Sequence, residues 1–274
     1  MNVSFIKLRV ADDPWILVIR PSMDVNPDKA ESPAGPDWAQ VAAGLCHRTR
    51  GAAASGLVLV DAKVEPVVVQ AWDASGRSCP PPPAALLCAA RWLFDSGRAS
   101  GDLVEMTGDG PVKVLVVDSR TFGVELGAVG GPSDVARLEA AIEAPGPRDR
   151  PAAALGLELG GRQAAVLCYD GRLPRRTGAP AVRVPGAPRI EAACVSAHQL
   201  RVRRNGVDAV HAAGAALVAA AAIGLADREA TVRTRGDGIL VQWTDEGSVF
   251  AAAEASYCLS GEYWLEEPDT GSDN

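Results

Sequence analysis

Short runs of alternating or β-branched apolar residues recur between turn signals through the first half of the chain. They lie at Val3 to Val10, Trp15 to Arg20, Gly56 to Asp61, Val67 to Trp72, Val112 to Val117 and Phe122 to Leu126, and this pattern predicts strands. Two helical patterns interrupt them. One covers Asp37 to Thr49. The other covers Pro83 to Ser96, with proline at its start, where a missing N–H costs nothing, and Gly97 just past its end. Ser22 to Pro36, rich in Pro, Asp and Ser, reads as a surface loop.

Gly127 to Pro132 predicts a crossing, after which the same order repeats. A helix is expected over Ser133 to Glu143, then a Pro- and Arg-rich loop from Ala144 to Pro151. Strands follow at Ala153 to Leu159 and Gln163 to Tyr169, a loop at Gly171 to Pro188, and strands at Ile190 to Ser196 and Gln199 to Arg204. An Ala-rich helix from Ala212 to Leu225 precedes strands at Ala230 to Thr234, Gly238 to Trp243, Ser248 to Ala252 and Tyr257 to Trp264. Strands, a central helix and more strands, twice over, predict an α/β (α+β) protein of two pseudo-symmetric halves, each a mostly antiparallel barrel around its helix. The expected division is 1–128 with 258–274 for one domain and 129–257 for the other. Facing edges of two such halves form a cleft, the usual place for a small ligand.

Composition narrows the class. A chain of 274 residues that is 47% hydrophobic can bury a large core, and two ordinary domains fit its length. No run of about 18 apolar residues is present, and Met1 to Arg9 lacks the charged-then-apolar order of a signal peptide, so neither membrane nor export is expected and the cytoplasm is. A net charge of -7 without a basic stripe argues against nucleic acid. Cys46, Cys79, Cys88, Cys168, Cys194 and Cys258 are scattered without a CxxC pair or a His at ligand spacing. They read as buried reduced thiols, and no metal site is expected. No phosphate loop, nicotinamide fingerprint or Ser-His-Asp order is visible, and no cofactor is expected.

The surroundings of the two Ala-rich helices resemble diaminopimelate epimerase and, more distantly, the phenazine-pathway isomerases of the same fold. Phe5-Ile6-Lys7 with Trp15 to Val18 resembles the opening strand pair, Cys46-His47-Arg48 with Gly51 to Gly56 the family's Cys-Asp-Arg plus Gly-x-Gly-Ala-Asp-Gly, and Trp72-Asp73-Ala74-Ser75-Gly76 the family's Phe-Asn-Ala-Asp-Gly. Cys88-Ala89-Ala90-Arg91-Trp92-Leu93 is similar to the family's helix with its second, non-catalytic cysteine, so Cys79 is not the catalytic thiol. Pro82 and Ala213 stand where the resemblance places the two thiols that act as acid and base. Arg204 and Asn205 stand at the Glu-Arg pair that grips substrate, and Arg162 and Arg189 at two substrate-binding asparagines. The resemblance thus implies the epimerase frame without its thiol chemistry.

Proton transfer without thiols needs another group of tunable acidity within hydrogen-bond reach of the substrate. Asp13 and Asp73 match positions that face substrate in the related enzymes, and a desolvated carboxylate there has a raised pKa. As solvated turn aspartates they read equally well. His211, near the expected helix start, is either a neutral acid–base group or a His without a role. Arg204, Arg189 and Arg162 suit a substrate carboxylate bidentately, or form the wet face of their strands. Ser55 and Asn205 complete the expected substrate contacts, with Ala213, Gly214 and Ala215 offering helix-start N–H groups to an anion. The resulting expectation is a cofactor-independent isomerase of a small carboxylate, similar to the isomerases of 4-alkylproline antibiotic pathways. The alternative is an inactive epimerase-like binding or scaffold protein. A homodimer is left open alongside a monomer.

Overall fold

Eight strands close a barrel around one Ala-rich helix. In the computed structural model, which describes residues 2–20, 36–99, 101–130, 136–137, 151–174 and 187–265, these are β1 (Asn2–Val10), β2 (Asp13–Ile19), β3 (Gly56–Asp61), β4 (Val67–Asp73), β6 (Leu103–Thr107), β7 (Pro111–Val116), β8 (Thr121–Ala128) and β16 (Ser248–Trp264). Pairing runs β1-β2-β3-β4-β6-β7-β8-β16, and β16 pairs back onto β1 to close the ring. The short β5 (Ser78–Cys79) adds to β4. The second half continues from β16 through β15 (Gly238–Trp243), β14 (Glu229–Arg233), β13 (Gln199–Arg204), β12 (Arg189–Ser196), β11 (Arg162–Asp170), β10 (Ala153–Leu159) and β9 (Ala136–Arg137).

The halves repeat one another in pairing as well as in order. Helix α2 (Pro83–Asp95) connects the parallel pair β4 and β6, and α3 (Ala209–Ala222) connects the parallel pair β13 and β14. All remaining pairings in the two halves are antiparallel except β2–β3 and β11–β12. Both central helices are apolar nearly all round because each threads the inside of its sheet. From Ala209 to Ala220 every residue of α3 is buried, and the predominance of Ala keeps the helix thin enough for strands on several sides. The third helix, α1 (Trp38–Leu45), caps the outside of the first barrel through Val41, Ala42 and Leu45, packed with Ile16, Val18, Leu57 and Leu59.

Strand β16 is shared between the halves. It pairs β15 over Val249–Ala252 and β1 over Ala255–Trp264, while β8 runs beside Ser248–Glu254. The sequence predicts two strands here, since Ala253 to Ser256 are weak strand formers. Alternating burial carries one strand through them, with Ala253 and Ala255 facing inward.

At the crossing, Gly127 and Gly160 let the backbones of the two halves touch. A Cβ on Gly127 would meet the Gly160 Cα at 2.7 Å. The expected helix over Ser133 to Glu143 is corrected at Ala136–Arg137, which pairs with Gly156 and Leu155 as an edge strand, because the open edge of β10 offers hydrogen bonds that a helix there would forgo. The rest of that segment lies outside the described residues, as do most of the loops expected at 22–36, 144–151 and 171–188. Among the described residues no helix is long and apolar enough to cross a membrane.

Candidate functional site

The starts of α2 and α3 meet at the seam between the halves. Pro82 is the N-cap of α2 and Pro83 its first helical residue, so this end has no capping side chain and lacks its first N–H. The next donor, the Ala84 N–H, donates at 3.0 Å to Oδ2 of Asp208 in the other half. Asp208 is also the N-cap of α3, where its Oδ1 accepts from the Val210 and His211 N–H groups, both at 2.9 Å. One carboxylate therefore caps two helices.

Asp13, the first residue of β2 and 2% exposed, reaches across in the opposite direction. Its Oδ2 accepts the Ala209 N–H at 3.0 Å, and its Oδ1 accepts the hydroxyl of the exposed Ser55. Arg204 Nη2 lies 3.7 Å from the same Oδ2. Two carboxylates from opposite halves thus share the α3 N-terminus, whose backbone dipole favours negative charge there. Burial first, and the charge of Asp13 second, push the Asp208 carboxyl up to about 6, against the pull of the His211 and Ala84 N–H groups and of Arg204. As a whole residue Asp208 is only partly buried; the enclosed part is its carboxylate.

Sequence reasoning missed Asp208 by starting the helix at Ala212. An Asp directly before an apolar run is an N-cap signal, and reading it as one finds both the true start and the acid. The correction extends to Ala213, Gly214 and Ala215. They lie beyond the first turn of α3, inside the helix, so their N–H groups serve the helix and no anion. Gly214 is there for packing, as a Cβ would meet Leu126 Cδ1 at 2.4 Å and Leu159 Cδ2 at 3.0 Å.

His211 is 3% exposed, and its Nε2 is sealed from solvent without a hydrogen-bond partner among the described residues. Burial first, then the positive charge of Arg162, lowers its imidazole to about 4, so it is neutral at ordinary pH. Arg162 opens β11, and its charge acts both on His211 and on the Cys79 thiol of the other half. Among the described residues its guanidinium makes no hydrogen bond or ion pair. Among the described residues it is a cation near this seam that the protein leaves without such a partner.

Several expected site residues are elsewhere or already occupied. Asp73 ends the β4 strand as a turn aspartate: its carboxylate accepts from the Ser75 N–H and hydroxyl and from the Arg77 N–H and side chain. Burial raises its pKa, but these hydrogen bonds outweigh it and hold the group below its ordinary value, the reverse of what a base in a desolvated cleft requires. Arg189 is paired with Glu191, which Arg203 Nη1 also bonds at 2.8 Å. Glu191 and Arg203 are cross-strand partners, and so are Ile190 and Arg204, which puts Arg189 and Arg204 on opposite faces of the sheet. Arg204 itself is engaged by the protein: Nη1 donates to the Val207 carbonyl at 2.6 Å and Nη2 to Asp12 Oδ1 at 3.2 Å. Asn205 is exposed in the turn before α3 and makes no hydrogen bond among the described residues.

The thiols are spectators. Cys46, Cys88, Cys168 and Cys194 are buried and free, and burial raises each thiol pKa, to about 12 for Cys46 and Cys168. Cys79 and Cys258, half-buried and exposed respectively, are free as well.

No protein-family model and no curated protein matches the sequence. Solved structures do match in fold. A protein of the phenazine biosynthesis PhzF family from Enterococcus faecalis superposes with a TM-score of 0.68 at 14% identity, over 97% of this chain and 100% of that one. A hydroxyproline epimerase from Agrobacterium vitis, solved with bound trans-4-hydroxy-L-proline, gives 0.62 at 14% identity, over 97% and 94%. A methylitaconate-Δ-isomerase gives 0.55 at 9% identity, over 96% and 95%. At these identities the likeness establishes the fold, which is the one the sequence resembles.

Proposed function

We propose that this protein is a cofactor-independent isomerase that moves a proton, and with it a double bond, on a small carboxylate-bearing substrate. The observation that carries the proposal is the pair Asp13 and Asp208, held by the interlocked starts of two helices from opposite halves. Asp13, held in position by Ser55 and Ala209, is the base. Asp208, whose carboxyl keeps its proton to higher pH, is the acid.

The step balances without an external reactant. Ionised Asp13 takes a proton from the acidified C–H, the released electron pair moves to form the new double bond, and the old double bond takes a proton from Asp208 at its far carbon. The pair ends with its protonation reversed, and exchange with solvent restores it. Arg162 holds the substrate carboxylate, and neutral His211 stands beside it.

The named activities of the neighbours support this substrate class: one binds a five-membered-ring amino acid, another is an isomerase of an unsaturated acid. For this chain the best-fitting substrate is a 4-substituted 2,3-dihydropyrrole-2-carboxylate of antibiotic biosynthesis, in which conjugation would move. The test follows ultraviolet absorbance of such a compound with unsaturation in the 4-substituent. Conversion is expected, with Asp13→Asn and Asp208→Asn each slowing turnover by about 10²- to 10⁴-fold. Saturable binding without any spectral change or deuterium uptake in D2O would overturn the isomerase and leave a scaffold, whose rationale would be the helix-capping roles of the same two carboxylates.

A further inference from the structure

Beside the carboxylate pair, a pocket of about 290 Å³ opens between the β1–β2 turn and the ends of β13 and β14. It is lined by Asp12, Leu173, Val202, Arg203, Arg204, Thr234 and Arg235. Three of these seven side chains are arginines, and among the described residues one lining acid, Asp12, faces them. Arg203 is committed to Glu191 and to the Pro174 carbonyl. Arg235 is exposed and has no hydrogen bond or ion pair among the described residues.

Arg204 is half used. The Nε–H and Nη2 edge of a guanidinium is the fork that takes an oxyanion bidentately. Here Asp12 occupies only the Nη2 prong, at 3.2 Å, while Nε is sealed from solvent with no partner among the described residues. A buried N–H left without an acceptor is uncommon and calls for a missing partner, such as a water or an ion. Asp12 Oδ1 is also held by the Thr234 hydroxyl at 2.6 Å. One oxygen of this carboxylate therefore already shows the polar partners that a bound oxyanion would use.

We propose that this pocket binds a small oxyanion, a carboxylate or a phosphate, which displaces the Asp12 carboxylate and completes the Arg204 fork, with Thr234 and Arg235 closing around it. The displaced Asp12 loses the contact that ties the β1–β2 turn of the first half to the end of β13 in the second. Arg204 also lies 3.7 Å from Asp13, so occupancy is felt at the carboxylate pair. The site does not depend on the isomerase reading, because binding is measured without turnover.

The experiment is calorimetric titration of the full chain with inorganic phosphate, and separately with acetate, at constant ionic strength. Saturable binding is expected, weakened at least tenfold by Arg204→Lys, which keeps the charge and loses the fork. Arg235→Ala should weaken it several-fold, and this exposed position leaves folding intact if Arg204→Lys does not. Asp12→Asn should tighten it, because the internal competitor loses its charge while the side-chain volume stays. Tighter binding of phosphate than of acetate assigns the phosphate source, and the reverse order the carboxylate source. Absence of saturable binding of either ion to both the wild type and Asp12→Asn would overturn the proposal, and so would affinities unchanged by Arg204→Lys and Arg235→Ala.

Discussion

Asp208 caps the helix of the opposite half as well as its own: its Oδ2 accepts the Ala84 N–H at 3.0 Å across 124 residues of sequence. Pro82 cannot cap α2 with its side chain and Pro83 has no N–H to offer, so the first free donor of α2 finds its acceptor in the other half. The same carboxylate then lies beside Asp13, which makes a structural cap into a group whose proton can be moved.

Capping and proton transfer separate by substitution. Asp208→Ala removes a cap, worth about 0.5–2 kcal/mol, and orphans the Ala84 N–H, worth about 1–3 kcal/mol, while relieving repulsion with Asp13. A net loss of about 2 kcal/mol is expected. Asp208→Asn keeps one acceptor oxygen, enough for the Val210 and His211 N–H groups of α3, but turns its Nδ2 donor on the Ala84 N–H, so it should cost about 1–3 kcal/mol and lose the proton-donating step. Urea denaturation beside turnover measures both, and an Ala variant as stable as the wild type would refute the double cap.

The raised pKa of Asp208 sets two pH dependences. The folded state holds this proton more tightly than the unfolded chain, so its contribution to stability is fully present below about 4, the ordinary carboxyl value, and is lost as pH rises through about 6. If protonated Asp208 is the acid, kcat/KM also falls as pH rises through that range. In Asp13→Asn the neighbouring charge is gone and burial remains, so the stability decline should move to lower pH without returning to 4. Stability measured by urea at half-unit pH steps decides it, and a decline that does not move would remove Asp13 from the pair.

Asp73→Asn should leave turnover unchanged and cost less than about 1 kcal/mol, since its bonds to Ser75 and Arg77 hold an exposed turn. A loss of turnover above tenfold in a folded variant would return Asp73 to the site.

The fold was legible because its signals are local. Alternation marked most strands, and the two Ala-rich runs marked the central helices. Strand β6 was overlooked because its five residues lie in a stretch of Gly and acidic residues, although Val104 and Met106 face the core by strict alternation. The site was legible only in part. Asp13, Ser55 and Arg204, each a candidate from the sequence, lie together, but the acid beside them is set by contacts between residues nearly 200 positions apart, such as Asp13 with Ala209. Helix spacing cannot reveal that. The resemblance drew attention to Ala213, whereas local capping chemistry pointed to Asp208, five residues earlier.

The turn that presents Arg162 offers a test of how the halves position the site. Gly160 and Gly161 join β10 to β11 with φ of +55° and +77°, conformations that cost an L-residue about 1–2 kcal/mol. Their surroundings differ. A Cβ on Gly161 meets nothing within 4 Å, whereas one on Gly160 would lie 2.0 Å from the Leu126 carbonyl oxygen of β8, a backbone atom that cannot rotate away. Gly161→Ala should therefore cost only the conformational penalty. Gly160→Ala adds overpacking of about 1–3 kcal/mol and must push the turn off the first half, carrying Arg162 with it. With Arg162 as the substrate anchor, Gly160→Ala raises KM by tenfold or more at a temperature where it is still folded, while Gly161→Ala leaves KM within about twofold of the wild type. Equal KM values for the two variants would show that Arg162 does not anchor the substrate from this turn.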